Sequence, residues 1–383
     1  GTSSYTDDES VERTRPFRPD IVGYVDGILT TPIRYIPIVI FTVKDASPND
    51  MVETRKVQVT GGSTYTVSIP KGWATENGVS AGSEVEFYPE GDSLFLTPRS
   101  EEERTEGTLD VTNLSGDELT RAVMTMYVSG FDIIALESAR ITTDQRRTIR
   151  KATQSLVGLE VLEETRDRVV IRDLLDSSEL SIHNAVTRMR LIALSMLDDA
   201  LLALGDLDED MARDVIQRDD DVDRLWMVVS RIFRATLRTP KAAEELGLPR
   251  EMCFDYQSAA RQLERIADHA TKIAHLTLNL EKAVPDEIVD ALEELREDAA
   301  NVVDDGMDAL FEEDSSEATR LANEAREAVQ AIDERARAID EYLRELDPAR
   351  AQVLGLIVDS VSRSADYGGN IAETALQKAA PTP

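Results

Sequence analysis

Four carboxylates stand out for their spacing. Asp219 and Asp223 are four residues apart, and so are Glu264 and Asp268. That interval sets both members of a pair on one face of an α-helix. Lys272 continues the second stripe. Like charges so spaced destabilise an isolated helix by a few tenths of a kcal/mol each. If the two helices are neighbours, the four carboxylates converge, and hard oxygen donors in that number suit a divalent cation. The alternative is a solvated acidic face, a common feature in a chain with 74 acidic residues.

Other chemistries are poorly served. The chain has one cysteine, Cys253, and three histidines, His183, His269 and His275. That leaves no disulfide framework, no thiolate metal cluster and no histidine-rich metal centre. His269 and His275 do not have the Glu-x-x-His spacing of a ferritin-like di-metal centre. No glycine-rich phosphate loop and no Ser/His/Asp arrangement is visible. No catalytic residue is assigned, and the chain reads as a non-enzyme.

The elements that must position the acids are long helices. From about residue 178 the pattern is helical with six segments, 181–204, 208–238, 250–282, 286–313, 316–346 and 349–379. The breaks at Gly205-Asp206, Pro240, Gly247-Leu248-Pro249, Pro285-Asp286, Asp314-Ser315-Ser316 and Asp347-Pro348 combine stops with N-cap residues. Short connections imply antiparallel neighbours, hence bundles. Arg265 to Ala274 aligns with Arg363 to Ala372 at an offset of 98 residues. The third and sixth helices are therefore equivalent, and the helical half is a three-helix bundle made twice, over 180–284 and 285–380. Trp226, Val229, Ile232 and Phe233 have the spacing of a buried helix face.

Ahead of the bundles the chain changes character. Residues 51–100 are β-rich, with alternation at Lys56 to Thr60 and Tyr65 to Ile69 and a hairpin signal at Glu90-Gly91-Asp92. About 50 residues make a marginal core, so this unit is expected to pair with a copy of itself. Residues 101–113 read as a charged linker. Residues 117–175 read as a small α+β module, with a basic helix over Asp144 to Leu156 and a hairpin around Arg166-Asp167. Residues 1–50 are an N-terminal extension, either ordinary or fused from elsewhere, with an apolar stretch Ile33 to Val43 too short to span a bilayer.

With 42 basic residues the net charge is −32, and lysine supplies only 8 of them against 34 arginines. An acid-heavy, lysine-poor surface resembles proteins of salt-loving organisms, whose self-repulsion molar salt screens within about 3 Å. It disfavours non-specific binding to nucleic acid or anionic membranes.

Two resemblances attach to these segments. "VTGGSTYTVSIPKGWATENGVSAGSEVEF" resembles the AbrB/SpoVT swapped-hairpin domain, which implies a homodimer and, through Arg55, Lys56 and Lys71, contact with DNA. "QRDDDVDRLWMVVSRIF", "RQLERIADHATKIA" and "SRSADYGGNIAE" resemble PhoU, tandem three-helix-bundle regulators of phosphate uptake. The pairing of head and bundles is similar to archaeal, haloarchaeal-type phosphate-uptake regulators. The resemblance implies a cytoplasmic, non-enzymatic regulator that binds a phosphate transporter component or sensor protein, with no membrane insertion. It also implies divalent or iron-type metal ions at Asp219, Asp223, Glu264 and Asp268 in the first bundle and at Asp366 and Asn370 in the second. Lys272 stands where the family often has Asn. In the second bundle Ser362 stands at the position of Glu264, Asp333 at that of Asp223 and Val329 at that of Asp219, so that site has lost ligands.

Overall fold

The computed structural model describes residues 53–60, 64–99, 104–174 and 181–381. The expectations for residues 1–50 lie outside the described residues. The fold is mainly α with a smaller β portion, and the chain divides into two compact units, Gly1–Gly78 and Val79–Pro383.

In the first unit, β1 (Gln58–Thr60) and β2 (Thr64–Thr66) pair antiparallel with Val59 opposite Tyr65, and α1 (Lys71–Glu76) follows Pro70. Val57, Val59, Tyr65 and Val67 are each more than half exposed. The alternating pattern thus makes a ribbon whose apolar side chains find no cover among the described residues.

The second unit opens with a hairpin, β3 (Val85–Glu90) and β4 (Ser93–Pro98), turning through Gly91 at φ +55°. A four-stranded sheet follows, built from β5 (Glu106–Asp110), β6 (Ile133–Glu137), β7 (Leu159–Glu164) and β8 (Arg168–Asp173) in the order β5-β6-β8-β7. Strands β5 and β6 run parallel and the other neighbours antiparallel. Helices α2 (Gly116–Val128) and α3 (Thr143–Gln154) join its strands, around a core that includes Leu119, Tyr127, Ile134, Leu136, Ile149 and Ile171. Strand β5 lies inside the stretch expected to be linker. It is short, ends in acids and exists only through its parallel partner, so no local pattern marks it. A β-carbon at Gly107 would lie 2.6 Å from Met126 Cε and 2.7 Å from the Phe131 ring, so a larger residue there would have to displace both side chains.

The helical half has α4 (Ile182–Asp206), α5 (Glu209–Arg238), α6 (Pro240–Leu246), α7 (Arg250–Thr277), α8 (Asp286–Phe311), α9 (Ser315–Leu343) and α10 (Pro348–Ala379). Side chains of Ser181, Asp208, Asp314 and Asp347 cap the starts of α4, α5, α9 and α10, each satisfying orphan backbone N–H groups. The six expected helices are present, and the short α6 fills the expected break, capped by Thr239 and ended by Gly247 at φ +64°. Helix α4 runs through Gly205 and stops at Leu207, φ 51°. Gly205 serves packing instead, since a β-carbon there would lie 3.2 Å from Val289 Cγ1.

Helices α4, α5 and α7 form one bundle, and α8, α9 and α10 the other, with α7 against α10 and α4 against α8. Contacts across this junction are reciprocal. Arg190 Nε donates to Asp304 Oδ1 at 2.5 Å, and Arg296 Nε lies 3.3 Å from Asp198 Oδ1. The two arginines stand 106 residues apart, as do the two aspartates. His269 and Tyr367, separated by the repeat offset of 98, meet each other at 3.3 Å. An internal two-fold relation between the bundles therefore passes close to this pair.

Within the second bundle, α8 and α10 cross on glycines. A β-carbon at Gly368 would lie 2.8 Å from Val303 N, and one at Gly306 2.8 Å from Gly368 O. Backbone cannot yield as a side-chain tip can, so Gly368→Ala is expected to cost about 1–3 kcal/mol. A lowered urea midpoint at unchanged m-value checks this; an unchanged midpoint contradicts it.

Candidate acidic site

The apolar stripe of α5, with Val215, Val222 and Val229 buried, packs toward α7, whose Ala259, Ala260, Leu263, Ile266, Ala267 and Ala270 are buried. Small alanines let the helices approach closely. That packing fixes their rotation and brings the acids of each helix to the same seam. Asp219, Asp223 and Glu264 are partly buried, while Asp268 is exposed at the rim.

The electrostatics record their proximity. Burial pushes Asp219 up to about 7, helped by repulsion from Asp223, Asp268 and Asp220. The Thr271 hydroxyl leans toward Asp219 and lowers it in part, yet Thr271 Oγ1 is buried outside hydrogen-bond geometry. Glu264 also rises to about 7, from burial first and then from Asp268, Asp223 and Asp219. Arg261 opposes this: its Nη1 donates to Glu264 Oε1 at 2.9 Å, and its guanidinium lies over the Trp226 ring. Glu264 Oε2 is buried and accepts no hydrogen bond. As pH falls below about 7 the site thus sheds charge by taking up protons on these two carboxyls.

All-oxygen donors with a buried, unengaged carboxylate oxygen have the chemistry a hard cation needs. The rotamers are another matter: among the described residues, no three His, Cys, Asp or Glu side chains are gathered as a metal-ligand group. Lys272, which extends the acidic stripe in sequence, leaves it in space. Its Nζ lies 3.8 Å from Asp359 of the opposite bundle.

The second bundle does not reproduce the arrangement. Asp366 is paired with Arg363 at 3.2 Å, and Arg363 Nε lies 3.8 Å from Asp359. Ser362 Oγ donates to Asp333 Oδ1 at 3.4 Å, so the positions matching Glu264 and Asp223 do face each other. A β-carbon at Gly369 would lie 3.1 Å from Val329 Cγ2, leaving apolar packing where the first bundle has Asp219. Asn370 is turned elsewhere, its Nδ2 donating to Gln262 Oε1 across the junction at 3.3 Å. Asp366 and Asn370 are therefore not brought together, because each is engaged by a different neighbour.

His269 faces Tyr367 rather than the acids, and burial lowers it to about 4. Arg55, Lys56 and Lys71 are all exposed in the first unit, with Arg55 engaging Glu53. Sequence reasoning missed Arg261 and Arg363 as counter-charges. Each sits three residues before the acid it engages, which is ion-pair spacing on a helix.

A tandem pair of three-helix bundles, with carboxylates converging in the first, defines the class of protein. Against known proteins, residues 186–277 match the PhoU domain, and residues 58–104 match the family described as antidote-toxin recognition MazE, bacterial antitoxin. The PhoU homolog of Clostridium acetobutylicum is 27% identical over 143 residues, covering 37% of this chain and 64% of that protein. The phosphate-specific transport system accessory protein PhoU of Escherichia coli K12 is 26% identical over 196 residues, or 50% of this chain and 80% of that one. The crystal structure of PhoU from Pseudomonas aeruginosa superposes with a TM-score of 0.44 at 22% identity, covering 51% of this chain and 93% of that one. Residues 186–277 are thus similar to the PhoU domain, and residues 58–104 to a MazE-type segment ahead of it.

Two raised carboxyls bind more protons folded than unfolded between about pH 4 and about pH 7. Stability from this site therefore falls as pH rises through that window. Asp219→Asn is expected to flatten that slope and to raise stability above pH 7 by about 1–2 kcal/mol, discounted for partial exposure. Calorimetry of both chains from pH 4 to 8 checks it; parallel profiles contradict it.

Proposed function

We propose that this chain is a non-enzymatic cytoplasmic regulator of phosphate uptake or phosphate signalling in an organism of high internal salt. It acts by docking its bundles on a phosphate transporter component or sensor protein. The observation that carries the reading is the PhoU domain match over 186–277, on the helices that carry Asp219, Asp223, Glu264 and Asp268. Among the described residues no helix is long and apolar enough to cross a membrane, so contact with a transporter is made from outside the bilayer. A divalent or iron-type cation at the first acidic site would displace the two held protons and brace α5 against α7. In the second bundle Arg363 already occupies the carboxylates.

Capture of the tagged full-length chain from phosphate-replete cells at native salt is expected to recover a phosphate transport or signalling component, and Asp219→Asn with Glu264→Gln to reduce that recovery. Capture with no such component overturns the reading. The exposed Val57, Val59, Tyr65 and Val67 support homodimerisation through the AbrB-type segment. Sedimentation of the wild type is expected to give a dimer and that of Val59→Asp with Tyr65→Asp a monomer. A wild-type monomer at micromolar concentration refutes the pairing.

A second reading, a transcriptional regulator whose head contacts DNA, draws on the match at 58–104 and on exposed Arg55, Lys56 and Lys71. Footprinting at native salt with no protected sites ends it.

A further inference from the structure

The basic helix α3 is left unused by the reading above. In a chain of net charge −32, residues 138–159 hold five basic side chains and one acid. Arg147, Arg150 and Lys151 on α3 are exposed, as are Arg140 before it and Arg166 in the β7–β8 turn. These segments form one surface. Ile141 N donates to Arg166 O and Ser138 N to Asp167 O, each at 3.0 Å, and Arg146 Nη2 donates to Arg166 O at 3.2 Å.

Exposed acids adjoin the patch, with Glu160, Glu163 and Glu164 on β7 and Asp167 in the turn, and they leave it a small cationic excess. Glu164 is shared by Arg146 at 2.9 Å and Arg150 at 2.7 Å, so two cations meet one carboxylate. Arg147 and Asp144 lie 3.5 Å apart with both side chains more than three-quarters exposed, a pairing that solvent makes weak. Glu137 engages Arg168 at 3.6 Å. Arg140, Lys151 and Arg166 carry no ion pair among the described residues.

We infer that α3 and the β7–β8 turn form a sequence-independent contact for the phosphate backbone of duplex DNA, separate from the head. The outward face of α3 offers Thr143, Arg147, Arg150, Lys151 and Gln154, all hydrogen-bond donors, and its apolar residues Ile149 and Ala152 are buried. A protein partner would need an apolar or aromatic anchor at the centre of the interface. Single-stranded nucleic acid would need an aromatic platform for its bases. Point charges, hydroxyls and amides are what phosphate oxygens take. At the high internal salt proposed above the distant negative charge is screened beyond about 3 Å; the same salt weakens each phosphate contact, so the contact is read at the low end of a salt series.

The test uses the full-length chain and a labelled random-sequence duplex, with anisotropy read across a salt series. About four phosphate contacts give a slope of log K against log salt near −4. Arg147→Gln with Arg150→Gln and Lys151→Gln is expected to weaken binding roughly tenfold or more and to make the slope shallower by about 2–3. Arg55→Gln with Lys56→Gln and Lys71→Gln should leave that loss undiminished. Absence of duplex binding, loss with the head variant alone, or equal competition by poly-glutamate would each overturn the assignment.

Discussion

Everything in the first bundle depends on a repulsion that packing enforces. The apolar stripes of α5 and α7 gain roughly 1.5–3 kcal/mol for each large side chain they bury. Val215, Val222, Leu263 and Ile266 are fully enclosed. That gain strips water from Asp219 and Glu264 as well, since they lie on the edge of the same seam. The acids cannot separate without opening the core, so they respond by changing protonation rather than position. A site so arranged is sensitive to whatever can neutralise it, whether proton or cation.

The second bundle reaches the same architecture with a different electrostatic solution. Arg363 grips Asp366, Val329 replaces an acid, and Asp359 is approached by both Arg363 and Lys272. Its charge is balanced by the chain's own cations, so proton uptake is not needed to the same degree. The bundles are related by a two-fold in which Arg190–Asp304 and Arg296–Asp198 answer one another, but they are not equal in what they can bind. The junction spends polar side chains on holding that relation: Asn370 reaches Gln262, and Lys272 reaches Asp359.

Periodicity made the helices legible, because six long amphipathic segments, four started by side-chain caps and two by prolines, leave little freedom. The repeat made their pairing legible, and the four-residue intervals put each pair of acids on one helix face. What escaped was decided by neighbours distant in sequence. Strand β5 needs β6 beside it. Lys272 shares a helix face with Glu264 and Asp268, yet the ammonium turns to the opposite bundle, where a carboxylate waits. Asn370 matches a ligand position by alignment but bonds across the junction, because α10 packs against α7 there and Gln262 is within reach.

Helix α5 carries more than its two acids. Eight residues past Asp223, about 12 Å along the axis, Arg231 enters the α+β module. It donates to the carbonyls of Tyr127 at 2.6 Å and Phe131 at 3.1 Å, pairs with Asp132 and Asp173 at 2.9 Å, and lies over the Tyr127 ring. Asp173 is 7% exposed and the Arg231 side chain 11%, so neither charge has water to fall back on. Removing Arg231 would take the shared counter-charge from two carboxylates and the donor from two carbonyls, at a cost of several kcal/mol. The module is thus fixed to the rod that also bears Asp219 and Asp223. A rotation or shift of α5 that relieves the acidic seam must carry the module with it or break this cluster, and a rigid helix transmits such a displacement along its whole length.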